Sequence, residues 1–247
     1  MQIKTEYVDI TVAEKTMRTF VATPNAEGKY PGLVMFSDIF QLSDPMIRTC
    51  ARLAGYGFVV AAHEIFHRLE PSGTVLQQTD AGRARGMQDQ QATPLTHFDE
   101  DCRAVLAFLN NHPLVAPGRL GAGGFCIGGH LAFRAALQPE VKATVCFYPT
   151  WLHNGQLGMG GNADSLQHAA EIQGELLIQF GALDPLIPAE GRELIDTALQ
   201  AANLPYETRI YPADHGFVRD DRAAYDAECA DQAVGEAVRF WRRAFNV

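Results

Sequence analysis

A chain of 247 residues, 47% hydrophobic and 20% charged, holds enough apolar material for one large core. Its formal net charge of −9 leaves no basic surface for a phosphate backbone, so nucleic acid is not an expected partner. The longest apolar run, near Gly57–Ala62, is far shorter than a bilayer span, so no membrane segment is expected; five cysteines without a C-x-x-C pair read as reduced thiols of a cytoplasmic protein.

The opening Met1–Val12 alternates like a strand and lacks the apolar stretch of a secretion signal. Glu6–Val12 and Thr16–Ala22 are predicted as a hairpin that turns at Ala13–Lys15. Buried-type strands follow at Gly32–Ser37, Phe58–Ala62, Leu120–Phe125, Ala143–Tyr148, Leu176–Gly181 and Thr208–Tyr211. Helices are predicted at Pro45–Ala54, Phe98–Asn111, Ile127–Leu137 and Glu190–Ala202, with a last one from about Arg222 to Phe245. Apolar strands alternating with helices predict an α/β fold: a mostly parallel sheet of about eight strands with helices on both faces. No repeat or low-complexity linker divides the chain, so residues 1–247 are expected to form a single domain. Ligands of such sheets bind beyond the carboxyl ends of the strands. Two stretches break the rhythm there, the polar Arg68–Thr96 and the Gly- and Asn-rich Trp151–Gln167, and both read as loops lining a site.

The most specific pattern is Gly124-Phe125-Cys126-Ile127-Gly128-Gly129, which leaves an apolar strand and opens a helix. It matches the strand–turn–helix nucleophile elbow of α/β-hydrolases, with Cys in place of Ser. A sharp turn between closely packed elements has no room for side chains at 124 and 128. The helix that starts after Cys126 aims its positive end at the sulfur, which favours the thiolate. Cys50, Cys102, Cys146 and Cys229 have no such setting and read as structural.

A nucleophile needs a base, and the base an orienting group. His215, in Pro212-Ala213-Asp214-His215-Gly216-Phe217, follows a predicted strand, whereas His153 and His168 lie in or beside the glycine-rich loop. Asp184 follows the preceding strand, and the order nucleophile, acid, histidine fits the fold. Asp214 competes for the role but is adjacent to His215 and poorly placed to reach the far ring nitrogen. The oxyanion donors expected are the backbone N–H groups of Ile127 and, in the loop after Gly32–Ser37, of a residue at or near Ile39.

Phe125-Cys126-Ile127-Gly128-Gly129, Gly181-x-x-Asp184, His215-Gly216-Phe217 and Ser37-Asp38-Ile39-Phe40 together resemble the dienelactone hydrolase (carboxymethylenebutenolidase) family, from about residue 5 to the end. The resemblance implies an α/β-hydrolase domain without cofactor or metal, acting on a small, anionic lactone. It implies that Asp38, standing for the family's longer Glu, contacts the resting thiol. It also implies arginines that hold the substrate: Arg219, and one of Arg83 or Arg85. Where the family places aromatic residues after that second arginine, this chain has Met87-Gln88-Asp89-Gln90-Gln91, which predicts a roomier pocket. Two other functions remain open from sequence, a general carboxylesterase or thioesterase and a non-catalytic ligand-binding member. His63-Glu64-Ile65-Phe66-His67 fits the H-E-x-x-H zinc pattern, but it follows a strand directly and lacks the helix that the metal site needs.

Overall fold

In the computed structural model, which describes residues 1–247, strand β1 (Ile3–Val12) turns back on β2 (Lys15–Pro24). Ala13 and Glu14 at the turn both take positive φ, 45° and 66°, the geometry that matches the twist of a two-residue hairpin. Strands β3 (Tyr30–Phe36), β4 (Val59–His63), β5 (Val115–Phe125), β6 (Val141–Phe147), β7 (Glu175–Gly181) and β8 (Tyr206–Tyr211) complete an eight-stranded sheet. Its order is β1-β2-β4-β3-β5-β6-β7-β8, antiparallel at β1–β2 and β2–β4 and parallel from β4 onward. Each predicted strand overlaps an observed one. The largest extension is at β5, which begins at Val115 instead of Leu120 and shifts register on both neighbours near Leu120.

Glycines in β5 show how tightly the layers meet. Neighbouring strand residues face opposite sides of a sheet. A Cβ on Gly123 would lie 2.9 Å from Trp241 of helix α6 (Ala227–Phe245); one on Gly124 would lie 2.0 Å from the Gly128 carbonyl of helix α4 (Ile127–Ala135). Helices therefore press on both faces of the central strand. Asp226 caps α6 by accepting from the Cys229 N–H at 2.9 Å, so this helix starts later than Arg222, and residues 219–226 form turns instead. Helices α1 (Asp44–Gly55), α3 (Leu95–Asn111) and α5 (Ala189–Ala202) fall where predicted. No helix is long and apolar enough to cross a membrane.

One helix was not predicted. Within the stretch read as a loop, Asp80–Ala92 forms α2, capped by Thr79 Oγ1, which accepts from the Gly82 N–H at 3.1 Å. Its buried residues are Gly86, Asp89 and Gln90, so it has no apolar stripe to betray it. It is held by polar contacts: Gln90 Oε1 accepts from the Gly158 N–H at 3.0 Å, fastening α2 to the glycine-rich loop. Part of that loop's continuation, Ser165–Glu171, is a 3₁₀ helix. A Cβ on Gly86 would sit 2.7 Å from the Ile39 carbonyl, so α2 lies directly on the loop after β3.

Gly86→Ala tests that contact. Overpacking costs about 1–3 kcal/mol, and alanine regains about 1 kcal/mol of helix propensity. A net loss of up to about 2 kcal/mol in urea unfolding is expected. A variant more stable than the parent would show that α2 does not press on Ile39.

Candidate active site

Cys126 joins β5 to α4 with φ 60° and ψ −122°, a conformation that side-chain-bearing residues avoid. The surroundings hold it there. Its N–H donates to the Phe147 carbonyl at 3.1 Å, and its carbonyl accepts from the N–H groups of Gly129 (2.9 Å) and Thr150 (3.1 Å). A Cβ on Gly128 would lie 2.3 Å from the carbonyls of both Phe36 and Ser37. The end of β3 thus bears on the first turn of α4 and brings the Ile39 loop beside the elbow. Asp38 organises that loop: its Oδ1 accepts from the Phe40 N–H at 2.9 Å and its carbonyl from the Gln41 N–H at 3.1 Å, leaving the Ile39 N–H without a protein acceptor. Ile127, as the first residue of α4, has no carbonyl four residues back within the helix to receive its N–H.

His215 and Asp184 arrive from the ends of β8 and β7. Asp184 is buried; its Oδ1 accepts from the Leu186 N–H at 2.8 Å, and its Oδ2 lies 2.7 Å from His215 Nδ1. Asp214 faces the other way, with Oδ1 accepting from the His215 backbone N–H at 2.6 Å. The imidazole Nε2 is buried and makes no well-formed hydrogen bond, but thiol and ring are close enough to govern each other's protonation. Burial pushes the Cys126 thiol up; the charge and hydrogen-bonding of His215 outweigh it and bring the pKa below the ordinary 9.0. Burial pushes His215 down, but the Cys126 thiolate and then Asp184 raise it to about 10. Both shifts favour the thiolate–imidazolium form of the pair. The other four cysteines move the opposite way: burial pushes Cys50 up to about 12 and raises Cys102, Cys146 and Cys229.

Two residues near the thiol, and one that anchors them, had no signal of their own in the sequence. Thr150 Oγ1 lies 3.4 Å from the sulfur, and Tyr148 sets its ring edge-on to His215 with centroids 5.0 Å apart. Both follow β6, the strand beside the elbow strand. His130 in α4 is wholly buried, with Nδ1 3.3 Å from the Thr150 carbonyl and Nε2 2.8 Å from Ser165 Oγ. It anchors the segment carrying Thr150.

The acidic and basic residues are arranged differently from expectation. Asp38 does not hydrogen-bond the thiol. Its Oδ2 is taken by Arg219 and, at 3.3 Å, by Arg222, and its charge opposes thiolate formation. The shorter side chain is held by this pair of guanidinium groups. Arg219 is buried, with Nε and Nη2 on Asp221 (3.0 and 2.7 Å), Nη2 also on Ser43 Oγ (3.1 Å), and Nη1 on Asp38. Most of its donors are taken within the protein, and it also lines a cavity of about 500 Å³ with Ser43 and Asp221. Arg83 and Arg85 separate clearly. Arg83 lines a cleft of about 560 Å³ together with His215 and Arg222, whereas Arg85 turns away to Glu70 at 2.6 Å and Asp89 at 3.5 Å. Another cavity, about 460 Å³, lies between α2 and the glycine-rich loop, lined by Gln90, Gln91, Trp151 and Gly158 among others.

The H-E-x-x-H residues do not share a helix face. His63 ends β4 with its ring edge-on to Phe36, and burial lowers its pKa to about 4. His67 lies in the following turns, with Nε2 3.1 Å from Asp101. Glu64 accepts from the Gly73 N–H at 2.8 Å.

Sheet order, elbow, and the residues at the ends of β7 and β8 define an α/β-hydrolase. The model of the dienelactone hydrolase family matches residues 17–245. Two proteins named "Putative carboxymethylenebutenolidase", from Saccharomyces cerevisiae and Synechocystis sp., are each 33% identical to this chain over 94% of its length, covering 88% and 94% of their own. A solved structure of "Putative Dienelactone Hydrolase" from Klebsiella pneumoniae superposes with a TM-score of 0.86 at 24% identity, covering 98% of this chain and 100% of that one. The chain belongs to the dienelactone hydrolase family and is a hydrolase of esters or lactones.

Two measurements probe this geometry. Alkylation of Cys126 by iodoacetamide should rise with pH through a midpoint below 9.0. His215→Ala removes the attraction and leaves burial, so the midpoint should move upward; an unchanged midpoint would deny the ion pair. Arg219→Leu strips a buried carboxylate of its main partner and should cost about 3 kcal/mol in unfolding free energy, or roughly 6–12 °C in Tm. Unchanged stability with a loss confined to anionic substrates would identify Arg219 as a substrate clamp.

Proposed function

We propose that this hydrolase uses Cys126 as its nucleophile, His215 as acid and base, and Asp184 to orient His215. The observation that carries the reading is that, of five cysteines, Cys126 alone combines a strained strand–helix turn, a neighbouring imidazole–carboxylate pair and a lowered thiol pKa. The thiolate attacks the carbonyl of a small ester or lactone. The N–H groups of Ile127 and Ile39 stabilise the oxyanion. The imidazolium gives its proton to the departing alkoxide or enolate, leaving a thioester. Neutral His215 then takes a proton from water as the hydroxide attacks that thioester; acid leaves and the thiolate–imidazolium pair returns.

Substrate charge separates the lactone reading from a general carboxylesterase or thioesterase. The commitment of Arg219 to Asp38 and Asp221 favours an uncharged substrate, with Arg83 and Arg222 at the cleft as the remaining cations for an anionic one. The sequence's five cysteines, an odd number without a C-x-x-C pair, support a reducing compartment, the cytoplasm.

Turnover of dienelactones, aryl esters and acyl thioesters by alanine variants tests both points. Cys126→Ala should abolish hydrolysis, and His215→Ala and Asp184→Ala should each lower kcat by orders of magnitude while the protein stays folded. Alanine at Cys50, Cys102, Cys146 or Cys229 should act on stability alone. Full activity in Cys126→Ala would overturn the mechanism. A free arginine–carboxylate contact is worth about 1.5–3 kcal/mol; an anionic substrate favoured over its neutral isostere by the corresponding tenfold to over a hundredfold would overturn the preference for uncharged esters.

A further inference from the structure

Tyr148 bears two unfavourable features at one position. It is the first residue past β6 and takes φ 37°, which a side chain of its size avoids. Its residue is 1% exposed, and its hydroxyl is buried without a hydrogen-bond partner. The ring is well accounted for: it packs edge-on against His215 at 5.0 Å and Phe217 at 5.5 Å, and lies 6.2 Å from Phe125. Phenylalanine would do the same without burying an unpaired O–H. The hydroxyl is the part that packing leaves unexplained, and buried polar groups without partners are rare in native proteins. Its ring against His215, and its carbonyl 3.4 Å from the Thr150 Oγ1 that neighbours the sulfur, place it beside the candidate triad. Burial raises its pKa well above 10.0, so the phenol stays protonated and is a donor, not a base.

The sheet order says which substrate oxygen it serves. The Ile39 N–H comes from the end of β3, on one side of β5, and with Ile127 it addresses the carbonyl oxygen. Tyr148 comes from the end of β6, on the other side, the side that also carries His215 beyond β8. The oxygen left for a donor there is the one whose bond to the acyl carbon breaks. We propose that the Tyr148 hydroxyl is a catalytic hydrogen-bond donor to the leaving-group oxygen, formed as substrate enters and strengthened as negative charge grows on that oxygen. The phenol keeps its proton throughout; the proton that ends on the leaving group is the one His215 supplies. The assignment rests on Cys126 as nucleophile.

Tyr148→Phe isolates the hydroxyl, because the ring contacts remain. Rates on alkyl esters, whose leaving oxygens are basic, should fall about ten- to a hundredfold in kcat/KM, and rates on p-nitrophenyl esters by much less, so that dependence on leaving-group pKa steepens. Stability in urea should hold or increase, since an unmade buried hydrogen bond is removed. The iodoacetamide rate at Cys126 should be unchanged, which shows that nucleophile and base are intact. Wild-type kcat/KM across the ester series, or an equal loss on every leaving group, would overturn the proposal. Failure of the underlying mechanism has a different signature, activity surviving in Cys126→Ala.

Discussion

The contact between β5, the end of β3 and the first turn of α4 governs the whole site. Gly124 and Gly128 face each other with no space for a Cβ on either, and Gly128 also meets the carbonyls of Phe36 and Ser37. This closeness bends the chain at Cys126 into its strained conformation and gives the sulfur a fixed direction. It also carries the Ile39 loop to within reach of the same point. One packing constraint therefore positions the candidate nucleophile and both candidate oxyanion donors, and no loop has to move to assemble them. The hydrogen bonds from Gly129 and Thr150 to the Cys126 carbonyl offset the strain, since they exist only while the turn keeps its shape.

Around this point, charged side chains are kept in paired groups. Cys126, His215 and Asp184 form one, in which each ionised member is stabilised by its neighbour. Asp38, Arg219, Arg222 and Asp221 form the other, two acids against two bases. Removing a charge from water is expensive unless it is paired, and both groups follow that rule. The second has a consequence for chemistry. An arginine that already faces two carboxylates attracts a substrate anion more weakly than a free one does. Asp38 gives its carboxylate to these guanidinium groups and makes no hydrogen bond to the sulfur.

The fold was legible because its signals are local and apolar. Inner parallel strands, buried on both faces, read as continuous hydrophobic runs, and each was visible, with its ends displaced by up to five residues. Glycine spacing around Cys126 exposed the elbow, and strand-end placement picked out His215 and Asp184 from their competitors. Helix α2 was hidden because its inner face is Gly86, Asp89 and Gln90, the last held by an amide contact to Gly158 far along the chain. The same holds for the arginines. Whether a guanidinium is free or spent depends on acids that meet it only after folding, as Asp38 meets Arg219 across the site. Tyr148 had no pattern of its own; its role follows from the order of strands, which sequence does not print.

The contrast between the two layers of the site has a physical logic. The base of the pocket, from β3 to β8, is apolar, buried and held by sheet pairing, and it carries the groups whose positions must be exact to within fractions of an ångström. The cover is polar: α2 is tied down by the Glu70–Arg85–Asp89 cluster and by Gln90 to Gly158. Burial, then the neighbouring Glu70, raises Asp89 to about 6, so this anchoring cluster contains an acid that resists ionisation. The two layers are thus held by different forces, polar contacts above and apolar packing with sheet pairing below. Cys126, only 7% exposed, lies in the apolar layer, where the glycine contacts fix its position.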